Sequence, residues 1–365
     1  RRHTNFSMEA IEQTWNGTSA TADGRCTATI SRNGDLVYRM YLELTYASLV
    51  DINNPGSTSI IDVELEIGGQ KIDKHISLWN QVYYDLTQFN PEGVIGGNST
   101  KASNANDYAI ANESDGTLYN RMSGTGANMR VANANFTANA NLTGGYNGWT
   151  ITHTDDTGGG GDDPATANGK WFIPLSFWFC RNPGLALPLI ALQYHEVKVK
   201  MTFEELSNLV FEEGASASVR SGQDFKLWCD YIYLDTDERR RFAQVSHEYL
   251  IEQVQYINNS VTATAGVVSS KTIDLNFNHP VKELVWVFQG TAGRITHSKA
   301  GYLPASSNGT IGLKLNGHDR FKERNELYFT RTQVWQHHTG NPVVDDACNH
   351  ATIATTASAV SSVSG

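Results

Sequence analysis

Long apolar runs are missing from this 365-residue chain, and so are a basic charge balance, a cysteine framework and any abundance of proline. No stretch reaches the ~18 consecutive apolar residues that cross a bilayer as a helix. Lys and Arg total 28 against 38 Asp and Glu, a formal charge of −10, and that sign argues against a broad face that coats nucleic acid. The four cysteines, Cys26, Cys180, Cys229 and Cys348, are far apart and form no C-x-x-C. They read as buried thiols of a protein made in a reducing compartment. The opening Arg1-Arg2-His3-Thr4 has neither a Met nor the apolar core of a signal peptide, so a removed N-terminus or a fragment is expected.

What is present points to β structure. Charged residues are only 18% and apolar residues 40%, with 32 Gly against 9 Pro, the balance of a folded, loop-rich chain. At ~100 to ~200 residues per domain the length gives a prior of two domains. Alternating or apolar strand runs cover residues 5–15, 26–31, 35–46 and 60–67, the last continuing across Gly68-Gly69 into 70–75. Asn33-Gly34 predicts a tight hairpin, because a type I′ turn needs positive φ at both central residues. Ser77 is placed to cap a helix over residues 78–89 that ends before Asn90-Pro91.

Residues 92–168 form an Asn-, Gly-, Ala-, Ser- and Thr-rich stretch, far beyond the ~15 residues at which structureless connections become uncommon. It is expected to be a large surface loop with some strand of its own, or partly disordered. Strand signals return with the apolar run from Lys170 to Cys180, then over 193–203 and 225–234, for eight strands up to Leu234. Residues 235–241 (DTDERRR) read as a charged connector, and strand signals resume at Glu248.

The second half repeats the first at offsets of about 240 to 250. Ile11-Glu12-Gln13 recurs as Ile251-Glu252-Gln253, the turn after Arg32 as Asn278-His279-Pro280, and the Gly68-Gly69 hairpin as Leu315-Asn316-Gly317. Tandem duplication of one β domain accounts for this, with convergence on similar hairpins as the alternative. Three closing strands have no visible counterpart after residue 338.

Chemistry-bearing constellations are weak. His195-Glu196 lacks the second histidine of a zincin motif and reads as an exposed pair. His337-His338 with Asp345, Asp346 and His350 fits no usual ligand spacing. Ser123-Gly124-Thr125-Gly126 lacks the Lys-Ser/Thr of a phosphate loop, and Asp155-Asp156 with Asp162-Asp163 lacks EF-hand spacing. No cofactor, metal or catalytic residue is assigned. Four of the Asn-x-Ser/Thr sequons, at Asn98, Asn112, Asn135 and Asn141, fall in the long loop and are the candidate glycosylation sites. Arg239, Arg240 and Arg241 are candidates for ion pairs between domains or subunits.

Several strings carry a specific resemblance. RRHTNFSMEAIEQTWNG, ISRNGDL, DVELEIGGQKIDKH, WFIPLSFWFCRNPGLALPLIALQYHEVKVKMTF, CDYIYLDTDERRRFAQVSHEYLIEQ, LNFNHPVKELVW and LKLNGHDRF together resemble the major capsid proteins of nucleocytoplasmic large DNA viruses. The algal-virus and mimivirus-like members are the nearest in character, and the likeness spans residues 1 to about 340 in the family's order. It implies an all-β double jelly roll of two eight-stranded sandwiches: 1–236, a linker 237–247, and a second roll over 248–365 that lacks its closing strands.

The resemblance also implies a structural role without catalysis. Three copies would form a pseudo-hexagonal capsomer of an icosahedral shell, assembled in the host cytoplasm beside neighbouring capsomers and minor capsid proteins. An internal membrane would lie nearby, and nucleic acid would not be touched directly. Asn33, Gly34, Gly68, Gly69, Pro174, Pro183, Pro188, His279, Pro280, Asn316 and Gly317 stand at the family's turn positions. An adhesin or lectin on a β-sandwich, supported by the aromatic content and the loop, and a minor or vertex capsid paralogue are the alternatives.

Overall fold

The computed structural model describes residues 5–17, 24–46, 52–53, 56, 59–87, 118–123, 127–129, 149–150, 169–204, 223–259, 270–287 and 310–339. In chain order the strands of the first half are β1 (Phe6–Gln13), β2 (Trp15–Gly17), β3 (Arg25–Thr29), β4 (Leu36–Tyr46), β5 (Ile52–Asn53), β6 (Ile60–Ile67) and β7 (Gln70–Ile76). Helix α1 (Ser77–Thr87) and the short α2 (Leu118–Ser123) follow, with β8 (Ala127–Met129) and β9 (Trp149–Thr150). Then come β10 (Gly169–Pro174), α3 (Trp178–Arg181), β11 (Leu187–Pro188), β12 (Val197–Phe203), β13 (Gln223–Leu234) and α4 (Thr236–Gln244). The second half contributes β14 (Thr310–Leu315), β15 (His318–Asn325), a π-helical turn Tyr328–Gln333 and α5 (Val334–His337).

Two antiparallel sheets face each other across one core. The first runs β1-β13-β4-β10, with β11 also on β4, and the second runs β2-β3-β12-β6-β7. Their eight long strands match the sequence expectation. Strict alternation explains the packing: in β12 Val197, Val199, Met201 and Phe203 are buried, while Lys198, Lys200 and Thr202 point outward. Facing them from β4 and β13 are Met40, Leu42, Leu44, Leu227, Cys229 and Tyr231. Cys26, Cys180 and Cys229 are free thiols, and burial pushes the Cys180 thiol up to about 12. Small strands β5, β8 and β9 pair with one another, so the long insertion does carry strand of its own.

Gly68 and Gly69 have φ of 60° and 82°, and Ile67 pairs with Gln70, which is the expected tight hairpin. Asn316 and Gly317, at 51° and 79°, form the same turn between β14 and β15. Each hairpin is followed directly by a helical segment, so the duplication read from the sequence recurs in three dimensions.

Three expectations are corrected. Asn33-Gly34 does not close a hairpin: β3 and β4 lie in different sheets, and neither residue has positive φ. The segment crosses from one sheet to the other, and glycine is required because a Cβ on Gly34 would lie 2.8 Å from Tyr231 Cβ. The apolar run after Lys170 is not one strand. It leaves the sheet at Pro174 and turns into α3, while Pro183 opens a 3-10 turn and Pro188 bridges to Leu36. The charged connector is itself a helix, α4, capped by the Asp235 carboxylate on the Thr236 N–H, with Asp237 and Glu238 in its first turn and Arg241 in its last.

Where strand signals resume at Glu248, the described residues 245–259 and 270–287 form no ladder. Leu250, Tyr256, Ile273, Leu275, Val281 and Trp286 are exposed there. A strand is defined by its partner, and among the described residues these segments have none. Gly34→Ala is expected to destabilise the fold by about 1–3 kcal/mol through overpacking against Tyr231, read as a lowered midpoint of denaturant unfolding.

Candidate assembly surfaces

Buried polar groups fix where the two halves meet. At the inner end of β7, His75 Nε2 lies 2.9 Å from Asp73 Oδ2, and both side chains are essentially inaccessible to solvent. Ser176 Oγ sits 3.4 Å from His75 Nδ1 and donates to Asn80 Oδ1 at 3.0 Å. The arrangement looks like a catalytic triad but cannot act as one. Ser176 is fully buried, its hydroxyl proton is committed to Asn80, and His75 is stacked on Phe177 at 4.7 Å.

The other Asp73 oxygen, Oδ1, accepts the backbone N–H of Lys74 at 2.9 Å and of Val254 at 3.0 Å. Gln253 donates to the Ile72 carbonyl. Arg181 donates from Nε to the Ser176 carbonyl at 2.8 Å and from Nη1 to Glu252 at 2.7 Å, lies over the Tyr83 ring at 4.4 Å, and Glu252 also pairs with Lys282. This network straps the first residues of the second half onto the edge strand β7 and onto α1 and α3. Sequence reasoning missed it, because Asp73, Ser176 and Val254 become neighbours only through the fold.

A glutamine clamp appears in both halves. Gln13 Oε1 accepts from the backbone N–H and the hydroxyl of Ser31, each at 2.9 Å, and lies 3.1 Å from the Tyr231 hydroxyl oxygen. In the second half Gln255 Oε1 accepts from the Asn278 N–H at 3.0 Å, and its Nε2 donates to the Asn278 carbonyl at 3.2 Å. His279, with φ of 69°, and Pro280 complete that turn.

The outward face of the first sheet has two unlike ends. At one, Leu36, Tyr38, Ala186 and Ile232 form a small cluster against which Phe242 of α4 packs. Arg239 Nε binds Asp35 Oδ1 there at 2.9 Å, and Asp35 Oδ2 accepts the Leu234 N–H. At the other, Phe172, Tyr41 and Trp228 form a row across three strands, with Tyr41 and Trp228 stacked at 6.3 Å and 9°. Glu43 lies buried beneath the row, bound by Lys170 at 2.6 Å and by the Trp228 Nε1–H at 2.7 Å. The Lys170 hydrogen bond holds the Glu43 carboxyl below its ordinary range against the opposing effect of burial, and Trp228 assists. Asp230, on the rim, has its carboxyl raised by desolvation, with Arg39 opposing.

The sequence candidates are therefore dispersed. Arg239 pairs with Asp35 of the first sandwich, while Arg240 and Arg241 are exposed. Asn98, Asn112, Asn135 and Asn141 lie outside the described residues, as do Asp345, Asp346 and His350. His338 pairs with Glu283 at 2.7 Å, and no metal-ligating cluster occurs among the described residues. His195 and Glu196 are exposed, Glu196 pairing with Lys198.

Among the described residues the buried Asp73, His75 and Ser176 side chains are tied to one another and to their neighbours in the fold. Residues 1–235 match the family model for the major capsid protein N-terminus, and residues 238–350 match that for the large eukaryotic DNA virus major capsid protein. The chain is 42% identical over 348 residues to the major capsid protein of Pyramimonas orientalis virus, covering 94% of this chain and 70% of that protein. It is 33% identical over 371 residues to that of Paramecium bursaria Chlorella virus 1, covering 92% and 71%. With the protein of Phaeocystis pouchetii virus it shares 37% over 328 residues, covering 80% of this chain and 53% of that one. Among solved structures, the quasi-atomic model of the PBCV-1 virus capsid superposes with a TM-score of 0.66 at 30% identity, over 92% of this chain and 75% of that chain.

The chain belongs to the major capsid protein family of large eukaryotic DNA viruses. Its fold is the all-β double jelly roll, and it is a structural capsid protein, not an enzyme.

Two outcomes test this description. Asp73→Ala strands several buried donors, each costing about 1–3 kcal/mol, so unfolding shifts strongly and the Val254 amide loses hydrogen-exchange protection. Asp73→Asn, which keeps an acceptor oxygen, loses less. For Glu43, a depressed folded-state carboxyl stabilises the protein above the unfolded carboxylate range of ~4.3, and that contribution is lost as pH falls through the lower folded value. Glu43→Gln should accordingly flatten the acid side of a stability profile measured by denaturant midpoint.

Proposed function

We propose that three copies of this chain associate into a pseudo-hexagonal capsomer that tiles the outer shell of a large icosahedral DNA virus. The observation that carries it is the repeated unit of type I′ hairpin followed by helix, at Gly68-Gly69 with α1 and again at Asn316-Gly317 with the helical turn of 328–337. Two such units in one chain let a threefold assembly present six similar lobes. The first roll would occupy 1–236 and the second would begin near 248, with α4 forming most of the link.

The exposed apolar side chains between 250 and 286 support a second sandwich that is covered by further β strands. Residues 92–168 would face outward and carry any glycans, at Asn98, Asn112, Asn135 or Asn141. Partners are neighbouring capsomers and minor capsid proteins, formed in the host cytoplasm over an internal membrane. At −10 per chain the net charge argues against direct nucleic-acid contact, and three chains must offset their mutual repulsion locally.

Light scattering on the full-length gene product tests the reading. A stable trimer whose mass is unchanged by saccharides or chelators is expected. A monomer overturns it, and a monomer with saturable glycan binding favours the adhesin.

A further inference from the structure

Helix α4 covers one end of the first sheet's outer face with Phe242. At the other end Tyr41, Phe172 and Trp228 stay partly exposed although they are large aromatic side chains in regular strands. Around this row the charges are mostly matched: Glu43 has Lys170 and Trp228, and Lys226 stands near Glu12 and Asp224. Asp230 is the exception. It sits where Tyr38 and Arg39 of β4 bulge past a single residue of β13, half withdrawn from water. Among the described residues its side chain makes no hydrogen bond or salt bridge, and the opposing charge beside it is Arg39, which lies over the Tyr38 ring instead of binding the carboxylate. The opposite lack occurs on α4, where Asp35 takes Arg239 and the guanidinium groups of Arg240 and Arg241 are exposed without an ion pair among the described residues.

We propose that the aromatic row is the docking face for a second copy of this chain, whose Arg240 and Arg241 meet Asp230 beside the Tyr41 and Trp228 rings. The inference rests on the trimer reading and names the surface that makes it. The two patches lie at different places on one chain, so the contact is heterologous, the type that closes a ring under threefold rotation. A guanidinium suits the site twice over, pairing with the carboxylate and lying over an adjacent aromatic face. The second copy is favoured over other occupants because the chain itself carries the missing charges, in a protein whose relatives build shells from many copies.

Charge exchange in the full-length gene product provides the test. Asp230→Arg alone, and Arg240→Asp with Arg241→Asp alone, should each shift trimer dissociation to at least tenfold higher protein concentration. The three changes together should restore much of the loss. Trp228→Ala should weaken the trimer without the double-arginine change adding its full effect. Circular dichroism and the unfolding midpoint identify variants that have simply lost the fold; Asp230, Arg240 and Arg241 make no described side-chain bonds, so their changes should keep the fold, with only a small fall in midpoint from acids placed towards the C-terminal end of α4.

A wild-type monomer would fail the trimer reading itself. A wild-type trimer with all variants equally trimeric would overturn only the surface proposed here. Loss in the single-side variants without restoration in the combination would overturn the arginine assignment. Trimers that persist in Trp228→Ala while retention on a saccharide column disappears would replace the second copy with a glycan.

Discussion

Strand β13 is the constraint on which the first sandwich depends. It pairs with β1 on one side and β4 on the other along nearly its whole length, so residues 223–234 must return from far down the chain to lie between 6–13 and 36–46. Until that happens β1 has no partner in the first sheet, β4 is paired only with β10 and β11, and Cys229 and Tyr231 are missing from the core. The ladder also explains why so long an insertion is tolerated between α1 and β10. Loop-closure entropy rises only logarithmically with length, about 0.6 kcal/mol per doubling, whereas the ladder and the side chains beneath it are unaffected by what the loop contains.

Polar groups drawn into this core are matched rather than avoided. The Tyr231 hydroxyl donates to the Ser31 carbonyl at 2.6 Å, and the same end of the barrel holds Gln13 against Ser31. An unpaired buried donor would cost more than the bond itself contributes, which makes such clusters intolerant of partial change. A glutamine also holds a turn in the second half, where Gln255 binds the Asn278 backbone. There the clamp is exposed, and it holds the turn without the surrounding ladder.

How much was legible from sequence follows from what each feature depends on. Alternation in 60–67 and in the 197–203 part of the expected 193–203 strand, whose first four residues instead form a turn, depends on residues adjacent in the chain and is read directly, as are the turns at Gly68-Gly69 and Asn316-Gly317. Asn33-Gly34 has the same local form, yet its glycine answers to Tyr231, some two hundred positions away, and local pattern cannot distinguish the two uses. The helix α4 was hidden by its charge, although Asp235 as cap with acids first and Arg241 last is the order a helix dipole favours. Strand signals after Glu248 describe side chains suited to a sheet, but a ladder also needs a partner. The aromatic row and the Asp73 network require cross-strand register, which no single segment contains.

If the outer face is covered on assembly, as proposed, its charges matter as much as its rings. Placing Glu43 under aromatic rings incurs its desolvation cost within the subunit, where Lys170 and Trp228 compensate it. Covering the rings later therefore gains apolar burial without trapping a second unpaired charge at that position. Asp230 differs, since its carboxylate is already half desolvated and a purely apolar partner would bury it uncompensated. That difference makes the face selective: an occupant with a suitably placed cation removes the penalty, whereas one without it must either protonate the carboxylate or leave it in contact with water. On the proposed contact, an aromatic patch alone would accept many partners, whereas an acid at its rim that lacks a salt bridge would favour those that bring the opposite charge.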